Sequence, residues 1–211
     1  MKLGLLGGTF NPPHLGHLRL AEEVACEHGL DRVIFIPSFS PPHKHTGAIA
    51  TSAHRMEMTR RACLGNPLFE VSEFEIELKG PSYTVNTLQA FATNSNADIF
   101  FILRTDSLRE IHTWKDYEKL FSLAHFIVVT RPGIQFQDAW SEVPHTLRAE
   151  FRIKGDHFVH ATSTTLVPSK VVGLNISSTQ IRALLRQGRS IRYLVTDPVW
   201  SYIVENHLYG S

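Results

Sequence analysis

The chain has 211 residues, of which 43% are hydrophobic and 19% charged, and its net charge is +1 with the histidines neutral. This length and composition predict one globular domain over residues 1–211 with a sizeable core. The near-neutral charge argues against nucleic acid and anionic membranes as partners. We expect neither a signal peptide nor a membrane span, because no apolar run is long enough, and the cytoplasm is the expected compartment.

Short apolar runs alternate along the chain with segments of helical periodicity. The predicted strands are Lys2–Leu6, Val33–Ile36, one or two strands within Phe69–Leu78, Ile99–Leu103, Phe126–Val129 and, as the last strand, Phe158–Ala161. The predicted helices are Leu15–His28, Thr51–Leu64, Tyr83–Thr93, Asp116–Leu123, the ambiguous stretch 135–151, Ser178–Gln187 and Pro198–Leu208. This alternation predicts an α/β fold with a doubly wound parallel sheet. Ligands in such sheets bind beyond the carboxyl ends of the strands, so we expect the site in the loops after Leu6, Ile36, Leu103 and Val129.

The two cysteines, Cys26 and Cys63, both fall within helical patterns. We expect both to be buried, reduced thiols, because a disulfide framework needs more cysteines and an oxidising compartment.

The first motif follows the first predicted strand and reads Gly7-Gly8-Thr9-Phe10-Asn11-Pro12-Pro13-His14-Leu15-Gly16-His17. Glycines let backbone amides approach a ligand closely, and the following helix offers unpaired N–H groups and the positive end of its dipole. This combination favours phosphate. The motif is neither a dinucleotide fingerprint nor a P-loop, because it lacks the glycine spacing of the first and the Gly-Lys pair of the second.

His14 and His17 are the informative pair within this motif. Residues three apart on a helix share a face, so we expect both imidazoles to point at whatever the loop holds. Gly16 between them removes a side chain, so that something bulky can come near. Surface placement and a zinc site are the alternatives, but no third metal ligand stands nearby at the usual spacing.

The second motif is Asn175-Ile176-Ser177-Ser178-Thr179-Gln180-Ile181-Arg182. Ser177 or Ser178 is predicted to cap the following helix, and Arg182 lies one turn after Ser178 on the same face. Arginine is well shaped to bind phosphate oxygens, although a capped helix with a surface arginine is the alternative explanation.

The first motif resembles the signature Gly-Thr-Phe-Asn/Asp-Pro-x-His-x-Gly-His of the Rossmann-like nucleotidyltransferase superfamily, and the second resembles its Ile-Ser-Ser-Thr-x-Ile-Arg element. Nearly the whole chain, from Lys2 to Tyr209, resembles the bacterial nicotinate-mononucleotide adenylyltransferases. The segments that carry this closer resemblance are Pro41-Pro42-His43-Lys44, Pro81-Ser82-Tyr83-Thr84, Thr105-Asp106-Ser107-Leu108, Thr113-Trp114 and Arg131-Pro132-Gly133. The resemblance implies a Rossmann-like doubly wound sheet with helices on both faces.

The resemblance also implies a reaction in which AMP passes from ATP to nicotinate mononucleotide in NAD biosynthesis, with Mg²⁺ bound to the ATP phosphates. It implies charge stabilisation by His14, His17, Lys44 and Arg182. The implied ATP site is formed by Gly8, Thr9, Phe10, Asp106, Ile176 and Ser178. Thr84 and Trp114 are implied for the nicotinate group, since an indole face suits stacking on a flat cationic ring. No protein ligand to a metal is expected. The resemblance leaves open whether the chain assembles into a homo-oligomer.

One position departs from the family pattern. Arg104 stands in Arg104-Thr105-Asp106, where the family usually has glycine two positions before the aspartate. The arginine either crowds the nucleotide or turns away from it. The alternatives to the family activity are another nucleotidyltransferase of the superfamily, such as a cytidylyltransferase or phosphopantetheine adenylyltransferase, and a nucleotide-binding regulator without catalysis.

Overall fold

A computed structural model describes residues 1–40, 49–130 and 135–210. Its strands are β1 Lys2–Gly8, β2 Arg32–Pro37, β3 Phe69–Val71, β4 Asp98–Arg104, β5 His125–Thr130, β6 Phe151–Lys154, β7 His157–His160 and β8 Thr165–Val172. Its α-helices are α1 Leu15–His28, α2 Ser52–Cys63, α3 Phe74–Glu77, α4 Thr84–Asn94, α5 Thr105–Arg109, α6 Tyr117–Leu123, α7 Phe136–Glu142, α8 His145–Arg148, α9 Ser178–Arg186 and α10 Asp197–Glu205. Two 3₁₀ helices span Ile111–Thr113 and Leu208–Gly210.

The described strands form an eight-stranded sheet in the order β3-β2-β1-β4-β5-β8-β7-β6. β4 pairs in parallel with β1 and with β5, and β5 pairs in parallel with β8. β7 is antiparallel to both β8 and β6. The predicted doubly wound α/β sheet is confirmed, with an antiparallel edge that the prediction of a wholly parallel sheet did not include.

The chain folds into two compact units. The first comprises residues 1–6, 23–33 and 83–173, and the second comprises residues 7–22, 34–82 and 174–211. The division crosses β1 and β2, so each of these strands contributes residues to both units. The single domain over residues 1–211 stays a prediction.

The first unit is built around β4 and β5, whose apolar side chains form a continuous buried layer. Ile102 and Val128 are buried at the centre of their strands. Phe121 of α6 lies against Phe126 of β5, with ring centroids 4.4 Å apart. Continuous apolar strands of this kind are typical of a sheet covered on both faces.

The second unit has its own core, formed where α2, α9 and α10 meet. Met58, Ile181, Val199 and Ile203 belong to one cluster of buried side chains in this core. Because α2 and α9 also carry arginines directed at the loop after β1, this packing fixes the positions of those arginines.

The segment Phe69–Leu78, predicted to hold one or two strands, contains one short strand, and its second half is helical. β3 ends at Val71 and α3 begins at Phe74. The Ser72 hydroxyl accepts a hydrogen bond from the Phe74 amide at 3.2 Å, which turns the backbone out of the extended conformation.

Phe158–Ala161 corresponds to β7 and is not the last strand, because β8 follows it and pairs with β5. β8 contains Pro168, a residue that usually argues against an internal strand. The stretch 135–151 is not one helix but two short helices, α7 and α8, and the first residue of β6.

Cys63 is buried as expected, but Cys26 is exposed and the prediction of burial is wrong there. Val24 and Ala25 occupy the buried face of α1, and the next residue along the helix turns away from that face. Within the described ranges, no helix is long and apolar enough to cross a bilayer.

Neighbouring positions on α10 allow a test of the core of the second unit. Ile203 is 0% exposed and Val204 is 43% exposed. Ile203→Ala should lower the free energy of unfolding by about 2–5 kcal/mol, because truncating a buried aliphatic side chain leaves a cavity. Val204→Ala on the same helix is the control and should change it by less than about 0.5 kcal/mol. Urea unfolding of both variants measures this, and equal effects would contradict the assignment of the core.

Candidate active site

The predicted site residues are divided between the two units. Those in the second unit are Gly8, Thr9, Phe10, His14, His17, Ile176, Ser178 and Arg182. Those in the first unit are Thr84, Asp106 and Trp114. Lys44 lies outside the described residues.

The loop that follows β1 is shaped by Phe10. Phe10 is buried, has a left-handed backbone with φ 47°, and packs on Phe35 of β2 with ring centroids 5.7 Å apart. Its ring lies so close to Gly8 that an added Cβ there would be 2.9 Å from the Phe10 Cζ atom. Gly8 is therefore required by an intramolecular contact in addition to any ligand.

Side-chain donors from two helices hold the backbone carbonyls of this loop. Arg55 Nη1 of α2 donates to the Thr9 carbonyl at 2.9 Å. Arg182 Nη1 of α9 donates to the Asn11 carbonyl at 2.8 Å, and the Ser178 hydroxyl donates to the Pro12 carbonyl at 2.8 Å. The loop is thereby tied to both helices by its acceptor groups.

His14 and His17 lie together, but not as two positions on one helical face. His14 precedes the first residue of α1, and its ring is stacked on that of His17 with centroids 3.6 Å apart and an interplanar angle of 23°. The His14 amide donates to His17 Nδ1 at 3.2 Å. A neutral His17 ring accepting this bond carries its proton on Nε2, so Nε2 is the donor that the ring can offer elsewhere.

Gly16 serves the histidine pair in a way that the sequence did not indicate. A Cβ atom at this position would be 3.0 Å from His14 Nδ1 and 3.5 Å from the Ile176 Cβ atom. The bulky group near Gly16 is therefore the His14 imidazole of the protein itself.

The start of α9 confirms a capped helix. Ser177 is the cap, and its hydroxyl accepts a hydrogen bond from the Gln180 amide at 3.1 Å. Arg182 Nη2 donates to the Thr179 hydroxyl at 3.3 Å, and burial lowers the pKa of the guanidinium. The buried Arg182 Nε has no hydrogen-bond partner among the residues that the structure describes. An arginine constrained at both Nη atoms is held in one orientation.

Two residues that the sequence analysis did not single out, Tyr209 and Arg55, complete this network. Asn11 is 4% exposed, and its Oδ1 accepts hydrogen bonds from the Ala50 amide at 3.1 Å and the Tyr209 hydroxyl at 2.7 Å. Burial raises the pKa of Tyr209, so its phenol stays a donor at neutral pH. Arg55, the second residue, is 1% exposed. No spacing signal in the sequence relates Arg55 or Tyr209 to the first motif, which explains why they were missed.

In the first unit, Thr84 is the first residue of α4, and Tyr83 caps the helix without a side-chain hydrogen bond. The first amides of a helix have no partner within the helix, so this end can receive an anionic group. The Lys115 ammonium lies over the Tyr83 ring, 4.7 Å from its centroid.

Trp114 of the first unit is half-buried, between the core position usual for tryptophan and the exposed position expected for a stacking platform. Its ring meets Phe101 edge to face, with centroids 6.3 Å apart. Asp106 lies in the first turn of α5, whose cap residue is Arg104, so Asp106 does not cap this helix.

The donors in the second unit suit an anion. Two guanidinium groups bind the backbone of the loop, and the imidazole pair lies at its end, so positive charge and ring N–H groups are available to attract phosphate. In the parts of the chain that the structure describes, no group of three or more His, Cys, Asp or Glu side chains could hold a metal.

The chain is similar to proteins of known families. The model of the cytidylyltransferase-like family matches residues 5–184. A protein of Desulfatibacillum aliphaticivorans named "probable nicotinate-nucleotide adenylyltransferase" is 42% identical, with 99% of this chain and 100% of the relative covered. The chain belongs to the nicotinate-nucleotide adenylyltransferase family.

A second nicotinate-nucleotide adenylyltransferase relative, from Geobacter metallireducens and also named "probable", is 41% identical, with 99% of this chain and 98% of the relative covered. The nicotinic acid mononucleotide adenylyltransferase of Plasmodium falciparum, solved in complex with NaAD, superposes with a TM-score of 0.73 at 17% identity. That comparison covers 99% of this chain and 97% of the other, and supports the same fold.

The contact between Gly16 and His14 gives a prediction for activity. In Gly16→Ala the new Cβ should push the imidazole by a few tenths of an ångström. We expect turnover to fall about tenfold, since misplacement by about 1 Å can cost about 10²-fold. The free energy of unfolding should not fall along with turnover, because Ala is more favourable than Gly within a helix by about 1 kcal/mol. Gly80→Ala, whose Cβ would meet nothing closer than 3.7 Å, is the control. Turnover and thermal unfolding decide it, and unchanged turnover in Gly16→Ala would show that the contact does not matter to the reaction.

Proposed function

We propose that this chain transfers AMP from ATP to nicotinate mononucleotide, releasing pyrophosphate and forming nicotinate adenine dinucleotide, a step of NAD biosynthesis. One observation carries the identity of the substrates: relatives named for this activity are 41–42% identical to the chain over essentially its whole length. The anion-binding character of the loop after β1 supports the ATP part of the proposal.

In the proposed reaction a phosphate oxygen of nicotinate mononucleotide attacks the α-phosphorus of ATP in line. The new P–O bond forms as the bond to the bridging oxygen breaks, and pyrophosphate leaves with that electron pair. The attacking phosphate monoester is already ionised near neutral pH, so no protein base is needed. Catalysis then consists of positioning and charge stabilisation.

Within the second unit, Arg182 and the His14–His17 pair are proposed to stabilise charge on the transferring phosphates. His17 would act as a neutral hydrogen-bond donor through Nε2, since its Nδ1 accepts from the His14 amide. Gly8, Thr9, Phe10, Ile176 and Ser178 are proposed to line the ATP site beside them, with the hydroxyl of Ser178 engaged by Pro12.

Asp106 and Lys44 also belong to the proposed ATP machinery. Asp106 would accept hydrogen bonds from ligand hydroxyl or amino groups, and Lys44 would supply a positive charge to the phosphates. Mg²⁺ would enter as part of the ATP complex and neutralise phosphate charge. The side chains of the second unit that are proposed to contact the phosphates are cationic or neutral and so do not bind Mg²⁺. The ligands of that metal would therefore be phosphate oxygens and water.

The nicotinate group is proposed to lie at the residues of the first unit. The indole of Trp114, which is in edge-to-face contact with Phe101, would stack on the pyridine ring. Thr84 and the first amides of α4 would receive the carboxylate, which the positive end of the helix dipole favours.

The role proposed for His17 predicts a large effect of its removal. His17→Ala should lower turnover by at least about 10²-fold while the fold survives, as removal of one donor to transition-state charge typically does. His145→Ala, an exposed histidine of α8, should leave turnover unchanged. Pyrophosphate release at saturating ATP measures both. Near-normal turnover of a folded His17→Ala variant would remove His17 from the mechanism.

The acceptor preference tests the proposed function itself. Hydrogen bonds to a charged group are worth roughly 1.5–3 kcal/mol, about tenfold to a hundredfold, so wild type should clearly prefer the nicotinate acceptor over its amide. Trp114→Ala should weaken both acceptors alike, whereas Thr84→Ala should weaken the acid more. Thr93→Ala, an exposed residue of the same helix, is the control.

Measurement of kcat/KM for nicotinate and nicotinamide mononucleotides in these four proteins decides the matter. Equal use of the two acceptors by wild type would rule out the carboxylate site. Use of CTP or phosphopantetheine instead would overturn the proposed activity and favour another nucleotidyltransferase of the superfamily.

A further inference from the structure

Arg55 is an arginine almost wholly removed from solvent, with 1% of its surface exposed. Each of its three nitrogens donates to a different backbone carbonyl: Nε to Ala50 at 3.1 Å, Nη1 to Thr9 at 2.9 Å and Nη2 to Phe39 at 3.0 Å. Burying a charged side chain is costly unless its donors are satisfied. An arginine buried in this way, at the cost of removing its charge from water, is expected to do more than fill space.

The three carbonyls belong to three separate stretches of backbone within the second unit. Thr9 lies in the loop after β1, Phe39 lies after β2, and Ala50 precedes α2. The planar guanidinium bridges all three with donors at fixed angles, which the single flexible ammonium of lysine cannot do.

The contact with Thr9 has a direct consequence for the loop. The peptide unit is planar and its C=O and N–H groups point in opposite directions, so fixing the Thr9 carbonyl fixes the Phe10 amide away from Arg55. The preceding carbonyl, that of Gly8, accepts the Ser38 amide at 2.9 Å and fixes the Thr9 amide in the same manner. Two successive amides of the loop are thereby oriented by bonds made behind them.

The charge on Arg55 adds to this arrangement. Burial lowers the pKa of the guanidinium, while Tyr209, once ionised at high pH, and the Glu75 carboxylate raise it. Arginine nevertheless stays protonated at neutral pH because its ordinary pKa is so high. Its three hydrogen bonds go to neutral carbonyls, so a positive charge sits behind the loop without contacting a ligand on the other side.

We infer that Arg55 is a positioning residue for the triphosphate of ATP, acting through the backbone of Thr9 and Phe10. This inference rests on the proposed function for the identity of the nucleotide. Arg55 lies outside both motifs, yet in this role it aligns the backbone amides of the first motif.

The test compares Arg55→Lys and Arg55→Met with Arg60→Met, a variant of a surface arginine on the same helix that pairs with Glu73. Binding of Mg·ATP is measured by titration calorimetry, and KM for ATP and for the acceptor by pyrophosphate release, all well below the unfolding temperature of each variant. We expect Arg55→Met to weaken ATP binding and raise KM for ATP about tenfold or more, with KM for the acceptor changed little. Arg55→Lys should recover only a small part of the ATP affinity lost in Arg55→Met, because lysine restores the charge but cannot bond to all three carbonyls.

A merely structural role would lower the number of binding sites per chain and the apparent turnover, and would leave the affinity for ATP and its KM unchanged. That result would overturn the inference. Full recovery by Arg55→Lys would also overturn it, since charge alone would then suffice. If Arg55→Met is too unstable to purify, Arg55→Lys and Arg55→Gln carry the same comparison. Failure of the proposed function is seen separately, as a wild type that binds ATP but does not use nicotinate mononucleotide.

Discussion

The local structure of the second unit depends on one constraint: the carbonyls of the loop after β1 accept hydrogen bonds from side chains that lie behind it. Thr9, Asn11 and Pro12 are held by Arg55, Arg182 and Ser178 respectively. Because the peptide is planar, the held Thr9 carbonyl presents the Phe10 N–H on the opposite side. The Asn11 and Pro12 carbonyls are each followed by a proline, which has no N–H, so holding them fixes the course of the backbone without orienting a donor. The anion site that we propose at the Thr9 and Phe10 amides would then be aligned before the ligand arrives and would need no reorganisation when it binds.

This arrangement explains why residues distant in sequence converge on a short loop. The helices α2 and α9 share a core with α10, and their arginines reach the loop from that core. The C-terminal Tyr209 adds a third support by donating to Asn11. The folding of the helical core and the shape of the loop are therefore coupled, so a core substitution in α9 or α10 acts on the proposed reaction as well as on stability.

The sequence predicted the features that rest on local patterns, since apolar runs, glycine-bounded loops and capping serines act over a few residues. It therefore anticipated α1, β4, β5 and the cap of α9. It missed β8, where Pro168 interrupts the strand pattern, and it missed Arg55 and Tyr209. The roles of these residues depend on contacts between segments far apart in the chain, and local sequence patterns do not reveal such contacts. For Gly16 it predicted a bulky neighbour without identifying it, and the structure places an imidazole of the same motif beside that glycine.

The family signature allows either asparagine or aspartate at position 11, and the hydrogen-bond network around this position favours the asparagine found here. Its Oδ1 accepts from Ala50 and Tyr209, and an aspartate could accept both bonds equally well. An aspartate would, however, add a negative charge to the loop that Arg55 and Arg182 hold. Asparagine satisfies the same donors without adding a carboxylate to that of Glu75, which already acts on the charge of Arg55. More of the positive charge is then left for the triphosphate proposed to bind on the other side of the loop.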